Sequence, residues 1–303
     1  MGYNIIILFF LQATMKKNKA FVLVEMLAVI AIISIIASLV FVSLKGASKD
    51  KARIASIVQF AATVHHKIGA EAIGIWDFDE GAGASAIDSS GFNSNLTIFG
   101  PAWVSGEQTP NGKGYALSFD GTDDYAAIQN LYYNKAGQIE GLTVCVWFKT
   151  SYSGGNWLSN QSFIDFDRLK YFSFFIRGND GRLSFSTTDE TGSTDDLDSD
   201  AILNDGQWHF ACGVYDGVDK IIYVDGREDI KDSNTYNGRA LGNGEVRYGF
   251  IGDGSRASAF NGNRTNRYYQ GIIDGVYLYE KGLTSAQIEK IYAQELSKYA
   301  IIK

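Results

Sequence analysis

Three regimes of hydrophobic patterning succeed one another along the chain. Across residues 21–44 the side chains are apolar almost without interruption, the exceptions being Glu25, Ser34, Ser38 and Ser43. At about 1.5 Å per residue, a helix of that length crosses the roughly 30 Å of a bilayer's hydrocarbon core. The run predicts a transmembrane helix. Over 47–68 the pattern becomes a stripe, with Ile54, Ile57, Val58, Ala61, Val64 and Ile68 recurring at steps of three and four, as on one face of an amphipathic helix. Between Gly69 and Gly74 the composition turns to aromatics, Gly, Asp, Asn and Ser, and the period falls to two. Strands are predicted over 75–78, 115–119, 125–128, 142–148, 171–176, 183–187, 208–215, 220–224 and 271–279, many bounded by Gly, Asn or Asp turns. Closely spaced short strands favour a sandwich, and neither βαβ alternation nor a dinucleotide-type glycine fingerprint is present. The expected fold class is α+β: a long N-terminal transmembrane and amphipathic α-helix, an antiparallel β-sandwich, and a short C-terminal helix.

One acid changes the reading of the apolar run. A carboxylate at the centre of a membrane helix costs about 2.5 to 3.5 kcal/mol and is retained where a partner or a function compensates. Glu25 therefore needs a cation. Cleavage between Ala20 and Phe21 would make one, the new α-amine of Phe21, on the same subunit or a neighbour. The basic leader Lys16-Lys17-Asn18-Lys19-Ala20 followed by Phe21-Val22-Leu23-Val24-Glu25 resembles the type III signal of type IV pilins and pseudopilins. That resemblance implies removal of residues 1–20 by a prepilin peptidase and N-methylation of Phe21. It also implies assembly with other pilin subunits through residues 21–73, with 21–44 in the membrane or filament core and Glu25 aiding assembly. Ala20 stands where the family usually has Gly, and Val22 where it usually has Thr. Residues 1–14 are apolar and unlike a leader; translation from Met15 would give a compact basic one. Lys16, Lys17 and Lys19 would hold that end in the cytoplasm, leaving the C-terminal domain outside. An ordinary signal anchor shares the basic flank and apolar run but leaves Glu25 unexplained.

The β region carries Trp76-Asp77-Phe78-Asp79-Glu80-Gly81, Leu117-Ser118-Phe119-Asp120-Gly121, Thr143-Val144-Cys145-Val146-Trp147-Phe148, Gly206-Gln207-Trp208-His209-Phe210, Tyr223-Val224-Asp225-Gly226 and a segment running from Gly271 to Tyr279. In this order the pieces resemble the laminin G-like, concanavalin A-like jelly-roll superfamily over residues 74–293, leaving 294–303 as a tail. Thr284 and Gln287 fit a capping box at the start of a helix over 285–294. Trp76, Trp147 and Trp208 are expected between the two sheets.

Candidate chemistry lies in turns and loops. Asp79, Glu80 and Asp88, near the first strand, together with Asp274 on the last, could gather the hard oxygen ligands of a structural calcium ion, because the superfamily often pairs those strands. The run Thr194-Asp195-Asp196-Leu197-Asp198-Ser199-Asp200 lacks the Gly and Glu of an EF-hand and reads as a solvated acidic loop. Stacking on sugar rings would call on exposed aromatics in Gly- or Asn-rich contexts: Tyr132, Tyr133, Tyr152, Trp157, Tyr268 and Tyr269. Asp165 and Asp167 alternate as glycosidase carboxylates do but include no glutamate, and no histidine triad is proposed. The expectation is a protein that is not an enzyme. Cys145 and Cys212, the two cysteines, lie in separate predicted strands and could form a disulfide outside the membrane. A net charge of −7 argues against a nucleic-acid partner. These readings converge on a pilin-like subunit displaying an extracellular head for adhesion or for glycan or protein recognition. The alternatives are a secretion pseudopilin whose head is structural, and a membrane-anchored lectin that never assembles.

Overall fold

The computed structural model describes residues 71–110, 112–156 and 159–299. The leader, Ala20, Phe21, Glu25, the predicted membrane helix and Trp157 lie outside the described residues. Among the described residues no helix is long and apolar enough to cross a membrane.

In chain order the strands are β1 (Ala72–Trp76), β2 (Ser85–Ala86), β3 (Leu96–Phe99), β4 (Ala102–Ser105), β5 (Tyr115–Asp120), β6 (Tyr125–Tyr133), β7 (Ala136–Ile139), β8 (Leu142–Lys149) and β9 (Gln161–Asp165). They continue with β10 (Phe172–Ile176), β11 (Arg182–Thr188), β12 (Thr194–Ile202), β13 (Trp208–Tyr215), β14 (Lys220–Val224), β15 (Arg227–Asp232), β16 (Leu241–Asn243), β17 (Arg247–Ile251) and β18 (Gln270–Tyr279), and α1 (Ser285–Tyr299) closes the domain. One antiparallel sheet runs β15-β14-β13-β8-β18-β5-β4, with β1 also paired to β18; the second runs β12-β11-β10-β9-β17-β6-β3-β2. A small pair, β7 with β16, lies apart.

The two sheets enclose a core that includes Trp76, Phe119, Phe148, Phe163, Phe174, Phe185 and Ile251, each at most 2 % exposed. Antiparallel strands usually alternate one buried face with one wet face, yet β8 is buried along nearly its whole length. The reason is a second apolar layer. Trp147, Phe210, Tyr277 and both cysteines point to the opposite side of the first sheet, where Ile288 and Ile291 of α1 cover them. Trp147 stacks on Tyr292 with ring centroids 5.8 Å apart. Trp76 thus sits between the sheets as expected, whereas Trp147 and Trp208 belong to the layer under the helix.

The capping box at the start of α1 is formed: the backbone N–H of Thr284 donates to Gln287 Oε1 at 2.9 Å, and that of Gln287 to Thr284 Oγ1 at 3.4 Å. The helix extends past residue 294 to Tyr299, so the expected tail is largely helical. Cys145 and Cys212 are directly opposite in β8 and β13 and are bonded to each other.

The acidic run read as a solvated loop is instead the edge strand β12. Its pleat turns Asp195 and Leu197 toward the inner side, opposite Thr187 and Phe185, while Asp196 and Asp198 point outward. Each of these carboxylates has a cation. Asp195 accepts from Lys220 Nζ at 2.7 Å, Asp196 pairs with Arg168, and Asp198 with Arg177. Paired edge charges also discourage a further strand from adding there.

Candidate functional site

With α1 packed on part of the outer side of the first sheet, the outer face of the second sheet carries no helix among the described residues. Its chemistry follows from register. Reading across opposed pairs, one row comprises Asp196 of β12, Ser186 of β11, Ser173 of β10, Asp165 of β9, Phe250 of β17, Ala127 of β6 and Thr97 of β3. Opposed residues share a face of the sheet, so the row is polar at the β12 side and apolar toward β6. On the apolar side Phe99 and Tyr125 stack at 4.7 Å, and Tyr132 stacks on Tyr248 at 4.9 Å.

The segment between β17 and β18 folds back over this face. Asp253, fully buried, organises it by accepting the backbone N–H groups of Gly254 and Arg267, both at 2.6 Å, and pairing with Arg264 at 3.3 Å. Burial above all pushes the Asp253 carboxyl up to about 6. Ser255 bridges to Arg264, and the N–H of Tyr248 donates to the carbonyl of Ala257. Arg264 is thereby laid over the Tyr125 ring, its guanidinium carbon 3.6 Å from the centroid, a cation–π contact.

Under this flap lies a hollow of about 380 Å3, whose polar lining includes Asp165, Asp167, Arg168, Arg256, Arg264 and Arg267. Asp165 is 4 % exposed, and desolvation raises its carboxyl to about 7 against the hydrogen bonds it accepts. One of these comes from the N–H of Asp167 at 2.5 Å. Asp167 is committed to local structure: Oδ1 accepts from the N–H of Leu169 at 3.1 Å and Oδ2 from Arg247 Nε at 2.6 Å. The alternating carboxylates noticed in the sequence do reach one hollow, but Asp167 is held in an ion pair while Asp165 is poised near neutrality. Arg168 is tied to Asp196 and to the Ser186 hydroxyl. Arg256 and Arg267 line the hollow with no side-chain hydrogen bond or ion pair to the described residues. The arrangement can grip a planar anion and, through Asp165 and neighbouring hydroxyls, exchange hydrogen bonds with sugar-like hydroxyl groups.

The carboxylates expected to hold calcium are placed differently. Asp88 accepts the N–H groups of Ile75, Ser90 and Ser94 at 2.9–3.0 Å and the Ser90 hydroxyl at 2.8 Å, which commits it to pinning the loop after β2 against β1. Glu80 accepts from the N–H of Ile87 and Asp79 from that of Tyr115; Asp274 is buried on β18. Among the described residues the one acidic trio whose oxygens fall within 4.8 Å of one another is Asp120, Asp123 and Asp124, so Asp79, Glu80, Asp88 and Asp274 do not form the expected cluster. Asp120 and Asp124 themselves cap the β5–β6 turn, accepting from the N–H groups of Thr122 and Asp120 respectively.

The aromatic candidates scatter. Tyr132 is 42 % exposed at the stack with Tyr248, and Tyr268 is half-buried near Arg264, its hydroxyl 3.4 Å from that guanidinium. Tyr152 lines a separate hollow of about 490 Å3 with Lys149, Thr150 and Gln270. Tyr133 and Tyr269 are fully buried, contrary to expectation, because both turn into the inter-sheet core. The arginines that line the first hollow were not singled out from the sequence. The available signal was Arg256, Arg264 and Arg267 falling within twelve residues of an Asn- and Gly-rich segment in an otherwise acidic chain.

Several solved structures share this fold at low sequence identity. The binding domain of Paraclostridial Mosquitocidal Protein 1 matches with a TM-score of 0.54 and 13 % identity, over 74 % of this chain and 52 % of that one. The ligand-binding domain of botulinum neurotoxin serotype D, solved with N-acetylneuraminic acid, matches at 0.53 and 14 %, over 77 % and 53 %. The chain thus spans about half the length of these toxin domains. Domain 4 of AbnA, an extracellular GH43 arabinanase from Geobacillus stearothermophilus solved with arabinotriose, matches at 0.50 and 17 %, over 73 % of this chain and 98 % of that one. No curated protein sequence matches the chain. The family model described as the concanavalin A-like lectin/glucanases superfamily matches residues 120–289, more than half of the 303 residues. Two facing antiparallel sheets and that match agree: the chain belongs to the concanavalin A-like lectin/glucanases superfamily.

Proposed function

We propose that the β domain is a non-catalytic glycan-binding head whose ligand lies in the arginine-lined hollow on the outer face of the second sheet. The observation that carries this reading is the hollow itself: a concave site of ligand size, open to solvent, with convergent polar groups backed by a rigid sheet. Two of the structural relatives were solved with a saccharide bound, which supports the same class of ligand. Catalysis on the glycosidase plan needs two working carboxylates across one bond, and Asp167 is occupied by Arg247.

The test is a microarray of neutral and acidic glycans probed with the full chain and with Ser173→Phe, which fills the hollow from β10. The parent is expected to bind a defined subset and the variant to lose at least about tenfold in signal. Binding indifferent to this substitution would place the ligand elsewhere.

The head is further proposed to be carried on a pilin-like stem, assembling with other pilin subunits after cleavage by a prepilin peptidase and residing in the cytoplasmic membrane or a surface filament. Support for this comes from the sequence: Lys16, Lys17 and Lys19, the junction at Ala20 and Phe21, and Glu25 in an apolar run. Intact-mass and N-terminal peptide analysis of the native protein should find a chain beginning at N-methylated Phe21. An uncut terminus at Met1 or Met15 would leave only an anchored binding module.

A further inference from the structure

The unpaired guanidinium groups narrow the class of ligand. Arg267 is half-buried, and desolvation lowers its pKa, with the like charges of Arg168 and Arg256 adding to the effect. Asp165 and Asp196 attract it, yet it forms an ion pair with neither. Arg256, exposed at the mouth of the same hollow, likewise has no carboxylate partner among the described residues. The other arginines of this face are engaged: Arg168 by Asp196, Arg177 by Asp198, Arg182 by the carbonyls of Ser199 and Asp200, Arg247 by Asp167 and Arg264 by Asp253. Placing like charges together and partly out of water is unfavourable unless an anion completes the site. The lining supplies further donors, for Thr265 Oγ1 is buried without a hydrogen-bond partner.

We propose that the hollow takes the carboxylate of an acidic saccharide, a uronate or sialate residue, between Arg256 and Arg267. A planar carboxylate matches the fork of a guanidinium and can accept two parallel hydrogen bonds from it. The sugar ring then lies toward Ser173 and Phe175 of β10, and its hydroxyls reach Asp165. Burial raises the Asp165 carboxyl to about 7, so near neutral pH it carries only part of a charge against an incoming anion and, where protonated, has an O–H to donate. This assignment rests on the glycan reading above.

Calorimetric titration of the full chain in non-ionic detergent discriminates the two. The probes are tri-galacturonate and 3′-sialyllactose, with galactotriose and lactose as neutral counterparts, against the parent, Arg267→Gln and Arg256→Gln. At least one acidic probe is expected to bind about tenfold or more tightly than its neutral counterpart, with that preference lost in both variants and weakened by added salt. The two acidic probes separate uronate from sialate as the source of the carboxylate. Neutral probes binding as well as acidic ones, with both variants unchanged, would overturn the assignment and leave the glycan reading standing. Binding of no probe at all would overturn both. Arg256→Gln alters an exposed side chain, so it keeps the test decisive if Arg267→Gln misfolds, and thermal melting of each variant identifies that case.

Discussion

Reducing the Cys145–Cys212 bond is expected to lower the stability of the β domain by about 4 kcal/mol. The bond closes a loop with a sequence separation of 67, and in the chain-entropy account a cross-link of that span removes roughly this much freedom from the unfolded ensemble. It also sits among Trp147, Phe210, Tyr277 and Ile288 between the first sheet and α1, so opening it exposes two thiols to a packed layer built around the bond. Urea unfolding with and without reductant, followed by tryptophan fluorescence, measures the difference, and Cys145→Ala/Cys212→Ala serves as the permanent version. A shift below about 1 kcal/mol would show that β8 and β13 are held by their ladder and packing alone. Such a bond persists in oxidising surroundings, consistent with the proposed display outside the cytoplasm.

Asp165→Asn should stabilise the domain at alkaline pH and leave it unchanged in acid. Burial raises the folded-state carboxyl from its ordinary 3.8 to about 7. Between those values the folded chain binds a proton that the unfolded chain has released, so stability falls as pH rises from about 4 to about 7 and is level above. About three pKa units correspond to at most about 4 kcal/mol at 1.36 kcal/mol each, and water entering the hollow reduces it. Asparagine keeps an oxygen to accept the N–H of Asp167 but has no charge to bury. Urea midpoints compared at pH 4.5 and pH 8 should therefore diverge at the higher pH, the variant being the more stable. Equal gains at both, or none at either, would mean that Asp165 is ionised and well solvated in the native protein.

Much of the sandwich was legible in the sequence because its central strands are apolar and bounded by turn residues. β13 and β14 run over 208–215 and 220–224 as the pattern predicts, and β18 differs from its prediction by one residue. Strands whose stability comes from neighbours were not legible. β12 carries four aspartates in nine residues and β15 reads Arg-Glu-Asp-Ile-Lys-Asp; their partners supply the hydrogen bonds and cations that make them strands. Trp147 was legible as buried but not as to which layer, since a strand covered on both faces loses the alternation that distinguishes them. The hollow was less visible still. Asp165 enters it through pairing with Ser173 and Phe250, and Arg256 and Arg267 through a flap folded back from β17, contacts that residue spacing does not encode. Asp88 marks the opposite error: its place near the first strand suggested a metal ligand, and backbone amides claim its oxygens instead.

The pairing of β1 with β18 has a mechanical meaning. The first strand enters the fold against the last, with Ala72 opposite Tyr279 and Trp76 opposite Val276, and Asp88 clasps it through the N–H of Ile75. Tension directed along that strand from its N-terminal end loads the whole ladder in shear rather than peeling rungs one at a time, while the plug of Trp76 resists extraction from between the sheets. Pulled through the proposed stem, the domain would resist forced unfolding more than one whose first strand could be peeled from an edge rung by rung.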